Sequence, residues 1–472
     1  MEKKNTWETY SSKQLKELEK INAQYRDFLD NGKTERECID TIVNTIEKSG
    51  YRELESLIKE GAALKTGDKV YSVWMNKSIA MFQIGRKPMT EGMNILGAHI
   101  DSPRLDVKQN PLYEDGGFAY LDTHYYGGVK KYQWVTIPLA IHGVIVKKDG
   151  TCVEINIGEN DDDPVFFVSD LLIHLAQEQL EKKAAKVIEG EALDIIVGNK
   201  PLLIDKKDKK KDEKEAGKEA VKAGVLDILK ETYDIHEEDF VSAELEIVPA
   251  GKAREAGFDR SMTLAYGQDD RVCAYTSMQA MLDSDVTDRT MCCILVDKEE
   301  IGSVGATGMQ SHFFENAVAE VMNLAGEYSE LNVRRCLAHS CMLSSDVSSA
   351  FDPTYASSFD KKNVAYLGSG MVINKFTGAR GKSGSNDANA EYLAHLRHIF
   401  DKAEVNFQTA ELGKVDLGGG GTIAYILALY GMNVIDSGVA VLNMHAPWEA
   451  TSKADVYEAY RGYKAFVEGA SL

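Results

Sequence analysis

Two histidines and a set of carboxylates recur in this chain at positions where chemistry is usually done. They are His99 and Asp101 in GAHIDSP, Asp270 in GQDDR, Glu299 and Glu300 in VDKEEIG, Asp346 in SSDVSSAFDP and His445 in NMHAPWE. Each stands at or just beyond the end of a short apolar run, and strand ends are where α/β sheets assemble their sites. Imidazole nitrogen and carboxylate oxygen are the donors that Zn²⁺ and related divalent ions accept. Adjacent Glu299 and Glu300 suggest a divided role, one ligand and one general base. Two ions about 3.5–4 Å apart usually share a bridging carboxylate. Asp269 and Asp270 are both available for that task. The chemistry this set predicts is two-metal hydrolysis.

Each residue also has a plainer reading. A lone strand-end histidine is more often structural than a ligand. His99 gains weight from Asp101, because a carboxylate near a ligand histidine commonly takes its second N–H and fixes the tautomer. His445 gains weight only from following a buried-type strand. Glu299 and Glu300 could be a solvated pair, but the Gly-punctuated IGSVGATG after them favours a site. Asp346 could cap a turn between its serines. The four glycines at 418–421 lack the Lys-Ser/Thr of a phosphate loop. They read better as close backbone approach to a site, with Thr422 opening a helix whose positive end points there.

The elements that must position these residues follow from periodicity and breakers. Residues 13–63 read as helices, the first two ending in Gly, followed by strand-like runs at 69–75, 78–84 and 93–98. From about residue 104, short strands such as WVTIPLAIHGVIV and CVEINIG indicate a β-rich insertion, with a helix over VSDLLIHLAQEQLEKK. The charge run 206–214 reads as a solvated loop. Helix and strand alternate again from about 255. Residues 290–296 form a continuous apolar run, as in a strand covered on both faces. The final helix, SKADVYEAYRGYKAFVEG, opens with the cap signature Ser452-x-x-Asp455. The expected organisation is a catalytic α/β domain of residues 1–103 and 255–472, interrupted by a β-rich insertion of residues 104–254.

The 472 residues carry a net charge of −20, which argues against nucleic-acid binding. No apolar stretch approaches the roughly 20 residues of a membrane span, and the N-terminus has no secretory apolar region. The seven cysteines lack zinc-site spacing and read as reduced thiols, so a cytoplasmic protein is expected.

The ordered blocks GAHIDSPRLDVK, PLAIHGVIV, DDRVCAYTSMQAM, DKEEIGSVGATG, SSDVSSAFDP, GGGGT and MHAPWEATSKADV resemble the aspartyl aminopeptidase family of metallopeptidases over nearly the whole chain. The resemblance implies a three-layer α/β/α catalytic domain with a mixed sheet, interrupted by a β-rich domain that packs between subunits. It implies two divalent ions per subunit, Zn²⁺ first and Mn²⁺ or Co²⁺ as alternatives. By position, His99 and Asp346 would hold one ion, Glu300 and His445 the other, and Asp270 would bridge them. Asp101 would orient His99, Glu299 would be the base, and His142 would reach a neighbouring subunit's site. Peptides would be the substrates and a dodecamer built from dimers the assembly. The family's acidic-residue preference is associated with a Lys after a Val-Ile pair. Here Asn374 follows Val372-Ile373, and Lys375, one residue on, is the candidate. Rival readings are a related two-metal deacylase or carboxypeptidase, and a non-catalytic assembly protein. The complete ligand set weighs against the latter.

Overall fold

A computed structural model describes residues 5–202, 219–378 and 380–471; the charge run at 206–214 lies outside them. Contacts divide the chain into two units. The first comprises residues 1–102, 253–444 and 448–472, the second 103–252 with 445–447.

The first unit is built on a nine-stranded sheet. Its order is Arg52–Glu53, Lys69–Trp74, Ser78–Gln83, Thr290–Val296, Met93–His99, Cys341–Ser345, Asn433–Gly438, Met371–Asn374 and Phe407–Thr409. The sheet is mixed. Thr290–Val296, Met93–His99, Cys341–Ser345 and Asn433–Gly438 run parallel, whereas Ser78–Gln83 and Met371–Asn374 flank them antiparallel. All seven residues of Thr290–Val296 are buried, as the apolar run predicts. Alternation decides which core each joins. Cys293 and Leu295 pack with the helices Ser12–Asn31, Glu35–Lys48, Gln268–Leu282, Ala390–Lys402 and Lys453–Gly469. Cys292, Ile294 and Val296 pack on the other face with Leu54–Glu60, Phe313–Leu324, Glu330–Ala338 and Ala424–Ala428. Period-2 burial on both faces requires a helical layer on each side, which makes the three-layer α/β/α arrangement. A five-stranded sheet, which includes Met262–Ala265 and Glu449–Ser452, completes the unit.

The second unit holds a six-stranded antiparallel sheet, ordered Cys152–Ile157, Leu139–Val146, Ala243–Pro249, Arg104–Asp115, Phe118–Tyr126 and Ile195–Gly198. The helix expected over 168–183 is absent as a continuous element; only the turns Ile173–Leu175 and Gln177–Leu180 form. Leu171, Leu172, Ile173 and Leu175 are exposed. Within the single chain no other element covers these side chains, so they do not stabilise a helical face there.

Two other expectations are corrected. Ser452 makes no side-chain cap, and Asp455 instead accepts the N–H groups of Gly368 and Gly370 at 2.8 and 2.7 Å. Its carboxylate ties a distant loop to the last helix and is not available for a capping box. Thr422 precedes a helix of only five residues and donates to Asp436 Oδ1 at 2.6 Å. Among the described residues no helix is long and apolar enough to cross a membrane. None of the seven cysteines is paired, and six are buried.

Asp436 gives this unit a pH signature. Burial pushes its carboxyl up to about 7, opposed by the Thr422 hydroxyl and reinforced by the charge of Glu299. A raised folded-state pKa means that the native state holds the proton more tightly than the unfolded chain. Its contribution is full in acid and disappears as pH rises toward about 7. Asp436→Asn keeps an oxygen for Thr422 but has no proton to lose. Denaturant unfolding should show it gaining on the unsubstituted protein by on the order of 2–3 kcal/mol between about pH 5 and about pH 8. A difference independent of pH would refute this account of Asp436.

Candidate active site

Three adjacent parallel strands deliver the acidic and imidazole groups to one edge of the nine-stranded sheet. Met93–His99 ends in His99, opposite Val296 of its neighbour, and that neighbour continues into Glu299 and Glu300. On the other side Cys341–Ser345 runs alongside, with Ser344 opposite Gly97, so Asp346 emerges beside His99. Parallel strands share a carboxyl end, so residues far apart in sequence meet there.

His99 is buried and held between carboxylates. Its Nδ1 lies 2.9 Å from the Asp101 carbonyl and 3.3 Å from Asp101 Oδ1. Its Nε2 lies 3.2 Å from Asp269 Oδ1 and 3.9 Å from Glu299 Oε2. This geometry assigns the Nδ1 hydrogen to Asp101 and turns Nε2 toward the acids. Burial alone would lower the His99 pKa, but its bonds to Asp101 and Asp269 carry it well above the ordinary value. Asp101 has a second task, because its two oxygens accept the N–H groups of Glu299 and Glu300, each at 3.1 Å. One carboxylate thus sets both the imidazole and the turn bearing the paired glutamates.

The acids crowd one another. Burial raises the Asp346 carboxyl well above its usual range, and the charges of Asp270, Glu299 and Asp269 raise it further. One donor atom each from His99, Asp269 and Asp346 lies within 4.8 Å of the other two, and Asp269 and Glu300 also offer oxygens within that distance. Such a concentration of anionic oxygen around one imidazole is a donor set that a divalent cation neutralises. The residues present therefore fit the implied metal.

The carboxylate common to both groups is Asp269; Asp270, the expected bridge, belongs to neither. The backbone at both residues is non-helical, although Gln268–Leu282 is otherwise a helix. Asp269 faces His99. Asp270 is fully buried, with neither oxygen hydrogen-bonded within ordinary geometry, and burial raises its pKa first. Sequence spacing does not say which of the two consecutive carboxylates joins the donor groups. The turn is packed from behind by buried Arg271, which donates to the carbonyls of Ile100 and Lys33 at 3.2 and 2.8 Å. Gly267, at φ 68°, leaves room for that guanidinium; a Cβ there would meet it at 1.9 Å.

The remaining candidates have partners of their own. His445 stands at φ 66° in the turn between Ala440–Leu442 and Glu449–Ser452, its Nδ1 2.9 Å from the Gly128 carbonyl. His142, on Leu139–Val146, is 1% exposed and its Nε2 lies 3.1 Å from Glu159 Oε1. Lys375 is half-exposed, 3.8 Å from Asp387, which also binds Lys382 at 2.9 Å. Sequence reasoning passed over Glu449, whose Oε2 accepts the Asp269 N–H at 3.0 Å, and Ser102, whose hydroxyl donates to the Asp269 carbonyl at 2.7 Å. Their only sequence signal is adjacency to the His99 and His445 blocks.

A three-layer α/β/α unit with this acid-and-histidine cluster at its strand ends defines a metallohydrolase. The family described as aminopeptidase I zinc metalloprotease (M18) matches residues 28–467. The probable M18 family aminopeptidase 1 of Clostridium acetobutylicum is 63% identical over 466 residues, covering 99% of this chain and 98% of that protein. The crystal structure of an aminopeptidase of the same family from Thermotoga maritima superposes with a TM-score of 0.92 at 44% identity and covers both chains fully. The dodecameric mApe1 of S. cerevisiae, 19% identical with a TM-score of 0.75 over 95% of this chain and 96% of that one, shares the fold. The chain belongs to the M18 family of zinc aminopeptidases. It is a metal-dependent hydrolase of peptide bonds.

The difference between Asp269 and Asp270 has a direct test. Asp269→Asn should lose bound metal, because one carboxylate serves both donor groups, whereas Asp270→Asn should retain it. Elemental analysis of the purified variants after dialysis decides it, and the reverse pattern would return the bridge to Asp270.

Proposed function

We propose that this aminopeptidase works through a dinuclear site in which Asp269 bridges, His99 and Asp346 complete one ion's ligands, and Glu300 and His445 complete the other's. The carrying observation is that Asp269 lies within donor distance of His99 and Asp346 and also of Glu300. The assignment of His445 is supported by its place in the MHAPWE block and by its Nδ1 facing a carbonyl, which leaves Nε2 as the basic nitrogen. When bound, the ions would supply Lewis-acid polarisation of the scissile carbonyl and of water. The chain's own residues do the rest. Glu299, its amide fixed by Asp101, takes the proton from the attacking water and passes it to the leaving amine. Asp101 keeps His99 in one tautomer.

The finer reading of specificity is a preference for N-terminal Asp or Glu. It rests on Lys375, for which a substrate carboxylate would replace Asp387 as partner. A second reading, a pocket for neutral residues, is favoured by Asn374, buried at the position directly after Val372-Ile373. We also propose a cytoplasmic homo-oligomer, a dodecamer built from dimers. The reduced thiols support the compartment, and the dodecameric yeast fold relative supports the assembly.

Chelation should abolish hydrolysis of aminoacyl substrates and added zinc should restore it. Glu299→Gln should keep its metal but lose turnover by at least the 10²- to 10⁴-fold typical of a general base, roughly; near-normal turnover would remove Glu299 from this role. For specificity, kcat/KM is compared for N-terminal Asp, Glu, Leu and Ala. Lys375→Ala should depress the first two selectively, and a native preference for Leu would end the acidic reading.

A further inference from the structure

We propose that Glu449 is a positioning residue that holds the shared carboxylate of Asp269 in place through its backbone amide. The inference rests on the dinuclear reading above. Asp269 sits in a turn where the backbone cannot hold itself. Gly267 is left-handed at φ 68°, Asp269 has φ −82° and ψ 106°, and Asp270 has φ −115° and ψ 27°. These are outside the helical region, and the first N–H groups of a helix have no partner within it. The acceptor comes from another strand. Glu449, 1% exposed on Glu449–Ser452, takes the Asp269 N–H on Oε2 at 3.0 Å. On the other side of the residue, Ser102 Oγ holds the Asp269 carbonyl at 2.7 Å. The two grips bracket the Cα from which the shared carboxylate projects.

The strand that carries Glu449 is fixed to the same turn. Gln268 Nε2 donates to the Glu449 carbonyl at 2.6 Å and to the Thr263 carbonyl at 3.1 Å. Its Oε1 accepts from Thr451 Oγ1 at 2.7 Å and from the Tyr25 hydroxyl at 3.1 Å. Glu449 therefore has little freedom to move, and neither has the amide it holds. Because Asp269 belongs to both donor groups, loosening it disturbs both ions together, whereas loosening a terminal ligand disturbs one.

The test measures zinc stoichiometry and affinity by competition with a chromophoric chelator, alongside circular dichroism and unfolding of the metal-free proteins. In Glu449→Ala both ions should bind about 10- to 100-fold more weakly, the usual cost of losing an outer-shell partner. Glu449→Gln, whose side-chain oxygen still accepts the Asp269 N–H, should bind within a few-fold of the unsubstituted protein. Glu449→Asp keeps the charge but falls short of the amide, so it should resemble the alanine variant; it decides the matter if the alanine variant does not fold. Glu449→Ala binding both ions normally, or weakening only one, overturns the proposal, as does equal weakening in Gln and Ala. An unsubstituted protein that binds fewer than two ions would instead overturn the dinuclear reading.

Discussion

The constraint on which the rest depends is the forced proximity of like charges at one end of the central sheet. Asp101, Asp269, Asp270, Glu299 and Asp346 are gathered around His99 where three parallel strands end. Buried carboxylates repel one another strongly in a medium of low polarisability, so such a cluster persists only when it is held from outside and compensated by positive charge. The two helical layers supply the holding. Both faces of the strands are buried in separate apolar cores, and the strand ends cannot splay to relieve the repulsion.

Compensation begins with the backbone. Asp101 is stabilised by the amides of Glu299 and Glu300, and Asp269 is gripped at its own amide and carbonyl by Glu449 and Ser102. Arg271 crosslinks the turn to the segments before and after His99 through the carbonyls of Lys33 and Ile100. These contacts fix side-chain directions, which is what a site built for a defined geometry needs. They also bind the chain's first hundred residues to its middle and last strands, so the site is a property of the whole first unit.

Much of this was legible in sequence, and the failures have physical causes. The apolar run 290–296 could only be a strand covered on both faces, and it delivered Glu299 and Glu300 as expected. The residues alone left Asp269 and Asp270 equally available, because the turn there is neither helix nor strand and no periodicity assigns its side chains to a side. The helix over 168–183 failed because helical spacing of apolar residues is stable only where a surface receives them, and here they face outward. The cap at Ser452 failed because Asp455 was claimed by the amides of Gly368 and Gly370, a partner that local sequence cannot reveal.

By itself, then, the amino-acid order determined which residue types stand at strand ends, and with them the donor chemistry, the α/β class and the interruption by a β-rich segment. Those are short-range properties, written in alternation, breakers and ligand types within a few residues. Tertiary structure alone decided which of two neighbouring aspartates faces the histidine, that His142 is enclosed against Glu159, and that Glu449 holds an amide 180 residues away. These depend on rotations about single bonds and on contacts between distant strands. Their energies are set by burial and by the partners packing brings, which no local pattern encodes.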